Sequence, residues 1–223
     1  MESDGNGFPL IPALPGIPDS REALRSAFAY DRAGMRSIFV VTMLALLFAC
    51  GGEDREQQEA AAIAKAEAAA KELATQLGAK LKHALGEGGP AEAIKVCSES
   101  AQQMSTEIGE KHGVSLRRTA LRVRNPNNAP DEWERKTLQE LEPLFNDPQS
   151  NLSTDALILR EEREIRVLKP IRMQALCGMC HGSRERLDPV VVDTLRATYP
   201  TDEAVDFKPG DLRGAISVRV PLE

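Results

Sequence analysis

Residues 156–171 read Ala156-Leu157-Ile158-Leu159-Arg160-Glu161-Glu162-Arg163-Glu164-Ile165-Arg166-Val167-Leu168-Lys169-Pro170-Ile171. Leu157 and Leu159 alternate on one side of the charged run Glu161-Glu162-Arg163-Glu164, and Ile165, Val167 and Lys169 alternate on the other, a pattern that predicts a β-hairpin. Near the end of the sequence, Gly214-Ala215-Ile216-Ser217-Val218-Arg219-Val220 predicts a further strand through its β-branched alternation. A short helix is expected between them, over residues 188–199.

Upstream the period changes from two to that of a helix. Residues 53–85 are rich in Ala, Glu, Lys and Gln, with Leu73, Leu77, Leu81 and Leu85 at helical spacing. Their early part, residues 50–70, reads as a solvated tether. Gly86-Glu87-Gly88-Gly89-Pro90 stops the helix, and Pro90 suits the first turn of a second one because its missing N–H would be unpaired there anyway. That second helix presents Ile94, Cys97, Ala101, Met104 and Ile108 on one face, so Cys97 points inward, and Gly113 is placed as a left-handed cap. Residues 114–124 read as extended chain leading into the turn-rich Asn125-Pro126-Asn127-Asn128-Ala129-Pro130. Trp133, Leu138, Leu141, Leu144 and Phe145 then mark a helix over residues 131–145, stopped by Asn146-Asp147-Pro148.

The first quarter of the sequence is different in kind. Met35-Arg36 precedes an apolar run, residues 38–49, that ends at Cys50-Gly51-Gly52. A basic start, an apolar stretch and a small-residue exit describe an export signal, and the run falls short of the ~20 apolar residues a spanning helix needs. Leu47-Phe48-Ala49-Cys50 resembles a bacterial lipoprotein cleavage box, which makes residues 35–49 the signal peptide and Cys50 the lipidated first mature residue. Residues 1–34, with Pro9, Pro12, Pro15 and Pro18, read as an over-extended start or a disordered leader, translation beginning at Met35. The alternative is a genuine extension with an uncleaved hydrophobic segment. The expected location is the bacterial cell envelope, lipid-anchored to the membrane and facing the periplasm, with residues 71–223 as one folded domain.

The formal net charge is −6, and Lys and Arg are interspersed with Asp and Glu, so no basic footprint for nucleic acid exists. Beyond Cys50 the cysteines are Cys97, Cys177 and Cys180, an odd set that cannot pair internally in an exported chain.

Cys177-Gly178-Met179-Cys180-His181 accounts for them. In C-x-x-C-H the two thiols reach the two vinyl groups of one haem, and the adjacent imidazole turns onto the iron, so one covalent haem c is expected. Export and motif support each other, because attachment needs both. The rivals are a simple Cys177–Cys180 disulfide, a dithiol-disulfide oxidoreductase and a zinc site. Thioredoxin-like folds place the dithiol early in the chain, and here it falls near the end. Zinc would require the diverging side chains of Cys180 and His181 on one tetrahedral ion.

His181 supplies one axial ligand. Cys97, His83, His112, Met104 and Met173 are the candidates for the other, and spacing alone does not rank them. Arg117, Arg118 and Arg124 are candidate partners for haem propionates through the guanidinium fork, or else a solvated face of an extended segment.

The chain from about residue 90 onward resembles the Tll-type c-type haem domain family. The resemblance rests on Ala93-Ile94-Lys95-Val96-Cys97, Arg117-Arg118-Thr119, residues 124–130, Lys169-Pro170-Ile171, the haem motif, Tyr199-Pro200-Thr201-Asp202 and residues 210–218. Gly178 departs from a larger apolar residue, and Asp206 departs from the Gly usual before the aromatic Phe207. The resemblance implies an α+β fold similar to PAS-type sensors, several helices around a small antiparallel sheet, with His181 and Cys97 as the axial pair. A thiolate ligand favours ferric iron and lowers the potential relative to methionine.

The expectation is therefore an exported mono-haem protein, not an enzyme, acting in low-potential electron transfer with a redox partner protein or in sensing redox state or a small gaseous ligand. No kinase or methyl-accepting output segment is read in the sequence, which tilts the expectation toward a redox protein acting alone.

Overall fold

β-branched and apolar residues at alternate positions produce four strands: Ser115–Thr119 (β1), Leu157–Arg160 (β2), Glu164–Arg172 (β3) and Leu212–Pro221 (β4). They pair antiparallel in the order β1-β4-β3-β2. The helices are Arg32–Lys95 (α1), Ala101–His112 (α2), Glu132–Asn146 (α3), Gly178–His181 (α4) and Pro189–Thr198 (α5). The α+β expectation, helices around a small antiparallel sheet, holds.

The computed structural model describes residues 32–147, 149–150 and 152–222, with side chains from Asp54 onward. The expected leader, the side chains of the expected signal peptide and that of Cys50 lie outside the described residues. Two compact units divide the chain, residues 1–54 and residues 55–223, and the second carries the sheet. Among the described residues no helix is long and apolar enough to cross a membrane.

Both faces of the sheet are covered. Ile165 and Val167 of β3 join Ile216, Val218 and Val220 of β4 on one face, where α1 and Ile108 of α2 bury them. Leu168 of β3, with Ala215 and Leu212 of β4, faces Leu138, Leu141 and Phe145 of α3 on the other. This explains why β3 lacks a clean polar alternation: a strand covered on both sides is apolar on both sides.

The expected tether does not extend to residue 70. Ala62, Ala66, Ala69 and Ala70 are buried with Leu73 against the β-branched face. Small residues at spacings of three and four let the helix backbone approach the sheet closely, so composition that reads as solvated is in fact a packing stripe. The break at residues 86–90 appears as a kink: Gly89 has φ 69° and ψ −163° inside α1, immediately before Pro90. Gly113 caps α2 with φ 63°, as its position predicted. The hairpin, the helix over residues 131–145, the short helix over residues 188–199 and the terminal strand all fall where the sequence placed them, within two residues at most ends.

β4 carries one irregularity that matters for the site. Ile171 pairs with Gly214, but Arg172 pairs with Leu212, so Arg213 is an extra residue opposite β3. A bulge of this kind re-aims the side chain it carries. Gly214 has φ 151°, and a Cβ there would collide with the Thr119 carbonyl oxygen of the neighbouring β1.

Candidate functional site

Between the kinked end of α1, the edge of the sheet and α4 lies an apolar cavity of about 220 Å³ that opens to solvent. Leu77, Leu81 and Leu85 line it from α1, Cys97 from the segment after the kink, Ile171 from β3 and Gly214 from β4. Leu176, Cys177, Met179, Cys180 and His181 close it from the motif. Arg118, Arg124 and Arg213 are its charged residues.

The motif is held by its backbone. Residues Ala175–Cys177 form one 3-10 turn that runs directly into α4. The Gly182 N–H donates to the Gly178 carbonyl at 3.0 Å, the Asp206 N–H to the Gly182 carbonyl at 2.8 Å and the Phe207 N–H to the His181 carbonyl at 3.0 Å. Asp206 achieves this with φ 63°, a left-handed conformation that glycine takes at no cost. Its carboxylate compensates by accepting the Arg184 N–H at 2.8 Å. At the other departure, Gly178, a Cβ would meet nothing within 4 Å, so the larger residue would also fit.

His181 has one committed nitrogen. Nδ1 lies 2.7 Å from the Ala204 carbonyl oxygen, an acceptor only, so Nδ1 carries the proton and Nε2 keeps a bare lone pair. Burial pushes the imidazole pKa well below its ordinary value, and Arg213, Arg124 and Arg118 push it further against the opposing Ala204 bond. The ring is therefore neutral near pH 7, the form that ligates a metal. Phe207 meets it edge-to-face at 6.3 Å.

Cys97, Cys177 and Cys180 are free thiols. Burial raises the Cys180 pKa, only partly opposed by Arg124. Cys97 lies in a π-helical turn, Val96–Ser100, that joins the kinked end of α1 to α2. Such turns add a residue to the helical register and recur at functional sites.

The structure separates the axial candidates that spacing left level. Cys97 lines the cavity that His181 lines. His83 is exposed, and His112 Nε2 is engaged with Glu72 at 2.7 Å. Met104 packs against the core beneath α1, and Met173 is buried with Ala204 and Phe207.

It also separates the arginines. Arg117 turns away, donating to Glu134 Oε2 at 3.0 Å and to the carbonyl of Ala129. Arg124 is a buried strut: it pairs with Asp202 at 3.0 Å and donates to the Cys180 and Ala204 carbonyls at 2.6 and 3.0 Å. It thus fixes both the end of α4 and the acceptor that orients His181. Arg118 lines the cavity and forms no ion pair among the described residues. Arg213 falls within residues 210–218, which carry the resemblance, but was not put forward with the other arginines, because the bulge that aims it leaves no periodic signal. Burial, with Arg124 and Arg118 nearby, pushes its pKa down to about 10.

Among the described residues no group of three or more His, Cys, Asp or Glu side chains gathers to hold a metal ion by itself. The arrangement is that of a ligand-holding α+β domain: an apolar slot with thiols and a bare imidazole nitrogen at one side and cations at another. The chain belongs to the Tll0287-like family, whose model matches residues 52–221. Among solved structures, the crystal structure of the cyanobacterial heme-protein Tll0287 is 26% identical, covers 66% of this chain and 92% of that chain, and has a TM-score of 0.48. A comparison with curated proteins finds no match.

Proposed function

We propose that this cavity holds one haem c, joined through thioethers to Cys177 and Cys180, with His181 Nε2 and the Cys97 thiolate as axial ligands. The observation that carries the proposal is the shared cavity: Cys97, Cys177, Cys180 and His181 come from two separate segments to line one apolar slot. Membership of the Tll0287-like family supports it, its namesake being described as a heme-protein.

The residues suit the group. Free thiols at the C-x-x-C spacing are the form that attachment consumes, and the neutral imidazole with its Nδ1 proton fixed on Ala204 presents Nε2 without rearrangement. When bound, haem supplies an iron that cycles between ferric and ferrous states. The protein's contribution is to set that equilibrium: the Cys97 thiolate and the dry apolar wall tune it, the thiolate toward a low potential. Leucine side chains exclude water from the slot, and Arg124 holds α4 in place.

The function that follows is a low-potential redox protein, acting in electron transfer or in sensing redox state or a small gas, without catalytic residues. Dithiol exchange is disfavoured by the position of the motif, which falls near the end of the chain where thioredoxin-like folds carry it early. With residues 35–49 as signal and Cys50 as anchor, the domain works at the periplasmic face of the cell envelope.

Replacement of Cys97 by Ala tests the axial assignment. The expected protein keeps its covalent pigment, shows an altered visible spectrum and has a higher midpoint potential. An unchanged spectrum in that variant would remove Cys97 from the iron.

A further inference from the structure

The arginines of the cavity wall are Arg118, Arg124 and Arg213, and they are not equivalent. Arg124 is neutralised by Asp202. Arg122, outside the cavity lining, lies over Phe207, 3.5 Å from the ring centre, and donates to the Val205 carbonyl at 2.8 Å. Arg118 and Arg213 remain. Neither forms an ion pair among the described residues, and the polar contact of Arg213 is a long one, 3.4 Å to the Arg122 carbonyl.

Two cations without an ion-pair partner beside an apolar slot are costly, because desolvation penalises the charge and like charges repel, and Asp202 offsets this only in part for Arg213. The depressed pKa of Arg213 expresses that cost. Regular strand geometry would not produce it: Arg213 is the extra residue of the β4 bulge, and Gly214 beside it is the residue that permits the close approach to β1. Arg118 stands on β1, opposite Ile216 of β4. The fold thus brings two guanidinium groups from adjacent strands to one cavity.

We infer that Arg118 and Arg213 form an anion seat for the two carboxylates of the cavity's ligand, the propionates of the haem. This rests on the haem reading above. It fixes the orientation of the ligand, with its carboxylate edge toward β1 and β4 and its thioether edge toward α4. The charges match: each propionate meets one guanidinium, and planar forks bind carboxylates in pairs of hydrogen bonds. Arg117 and Arg124, the other arginines that the sequence put forward, are spent on Glu134 and Asp202. Asp202 also acts on Arg213 and favours its charge, and Tyr199, near Arg118, has its pKa raised by burial and by Cys97.

A propionate held by a guanidinium in a dry site stays ionised, so the midpoint potential of the natural holoprotein is expected to be flat from about pH 5 to about pH 8. Arg118→Gln and Arg213→Gln release a carboxylate to titrate in that window, giving a potential that falls as pH rises, while Arg118→Lys and Arg213→Lys restore much of the flat profile. Arg196→Gln, on the exposed face of α5, leaves the profile as it was. Arg118 stands on an edge strand, so its variants keep the test open if the Arg213 variants do not fold. Flat profiles in both Gln variants, with the pigment attached, overturn the seat. Absence of covalent pigment from the natural protein overturns the haem reading instead.

Discussion

At the scale of single residues, the site depends on a few backbone positions as much as on the side chains that line the cavity. The Ala204 carbonyl chooses the tautomer of His181, and Arg124 holds that carbonyl. Gly214 is the position with least freedom: its φ of 151° disfavours any side chain, and a Cβ would run into the Thr119 carbonyl. Gly214→Ala is expected to cost about 3 kcal/mol or more, the upper end for a residue forced into glycine-only backbone, and to lower the denaturant midpoint accordingly. A chemical denaturation curve unchanged from the natural protein would show that β4 can relax away from β1 without loss. Little of this was legible in the sequence. Cys177, Cys180 and His181 announce themselves by spacing, whereas Ala204, Phe207 and Arg213 act through a carbonyl, a ring edge and a bulge, none of which has a sequence signature.

At the scale of elements, α3 is tied to the sheet through two carboxylates, Asp131 at its N-cap and Glu134 in its first turn, the latter paired with Arg117 of β1. Asp131 accepts the Glu134 N–H at 2.9 Å, and Glu134 returns the bond to the Asp131 N–H at 3.0 Å, a reciprocal capping box. The same Asp131 pairs with Arg166 of β3 and, at 2.8 Å, with Arg219 of β4. Burial works against its charge, but the Glu134 N–H and the two guanidinium groups more than offset this, so its pKa lies below the ordinary carboxylate value. The folded pKa being the lower, this stabilisation is complete above about pH 4 and is lost as pH falls through the folded value. Asp131→Asn keeps a good cap but no charge. It is expected to lower stability near pH 7 and to flatten the acid limb in urea denaturation measured from about pH 7 down to about pH 3. An acid limb as steep as that of the natural protein would place the acid sensitivity elsewhere. Helix α3 itself was readable from its apolar period. Its anchoring was not, because the partners lie on strands distant in sequence.

At the scale of the whole molecule, the two halves of the site come from opposite ends of the domain and meet because the sheet brings them together. Cys97 follows the kink at Gly89 and Pro90, while the motif follows β3, which pairs with β4. The alanine stripe of α1 lies close on the β-branched face, and its continuation through Leu77 and Leu81 roofs the cavity. Periodicity gave the elements their places, and the resemblance of separated motifs implied how they assemble. Composition misjudged the stripe, since alanine is weakly apolar and becomes core only when a partner surface is there to meet it. The proposed haem is held covalently at Cys177 and Cys180. The decisive measurement is to denature the protein, made in cells equipped for c-type maturation, and to extract it with acidified organic solvent. The pigment is expected to stay with the polypeptide in the natural protein and to be lost from it when Cys177 and Cys180 are both replaced by Ala; pigment that extracts freely from the natural chain would contradict the claim.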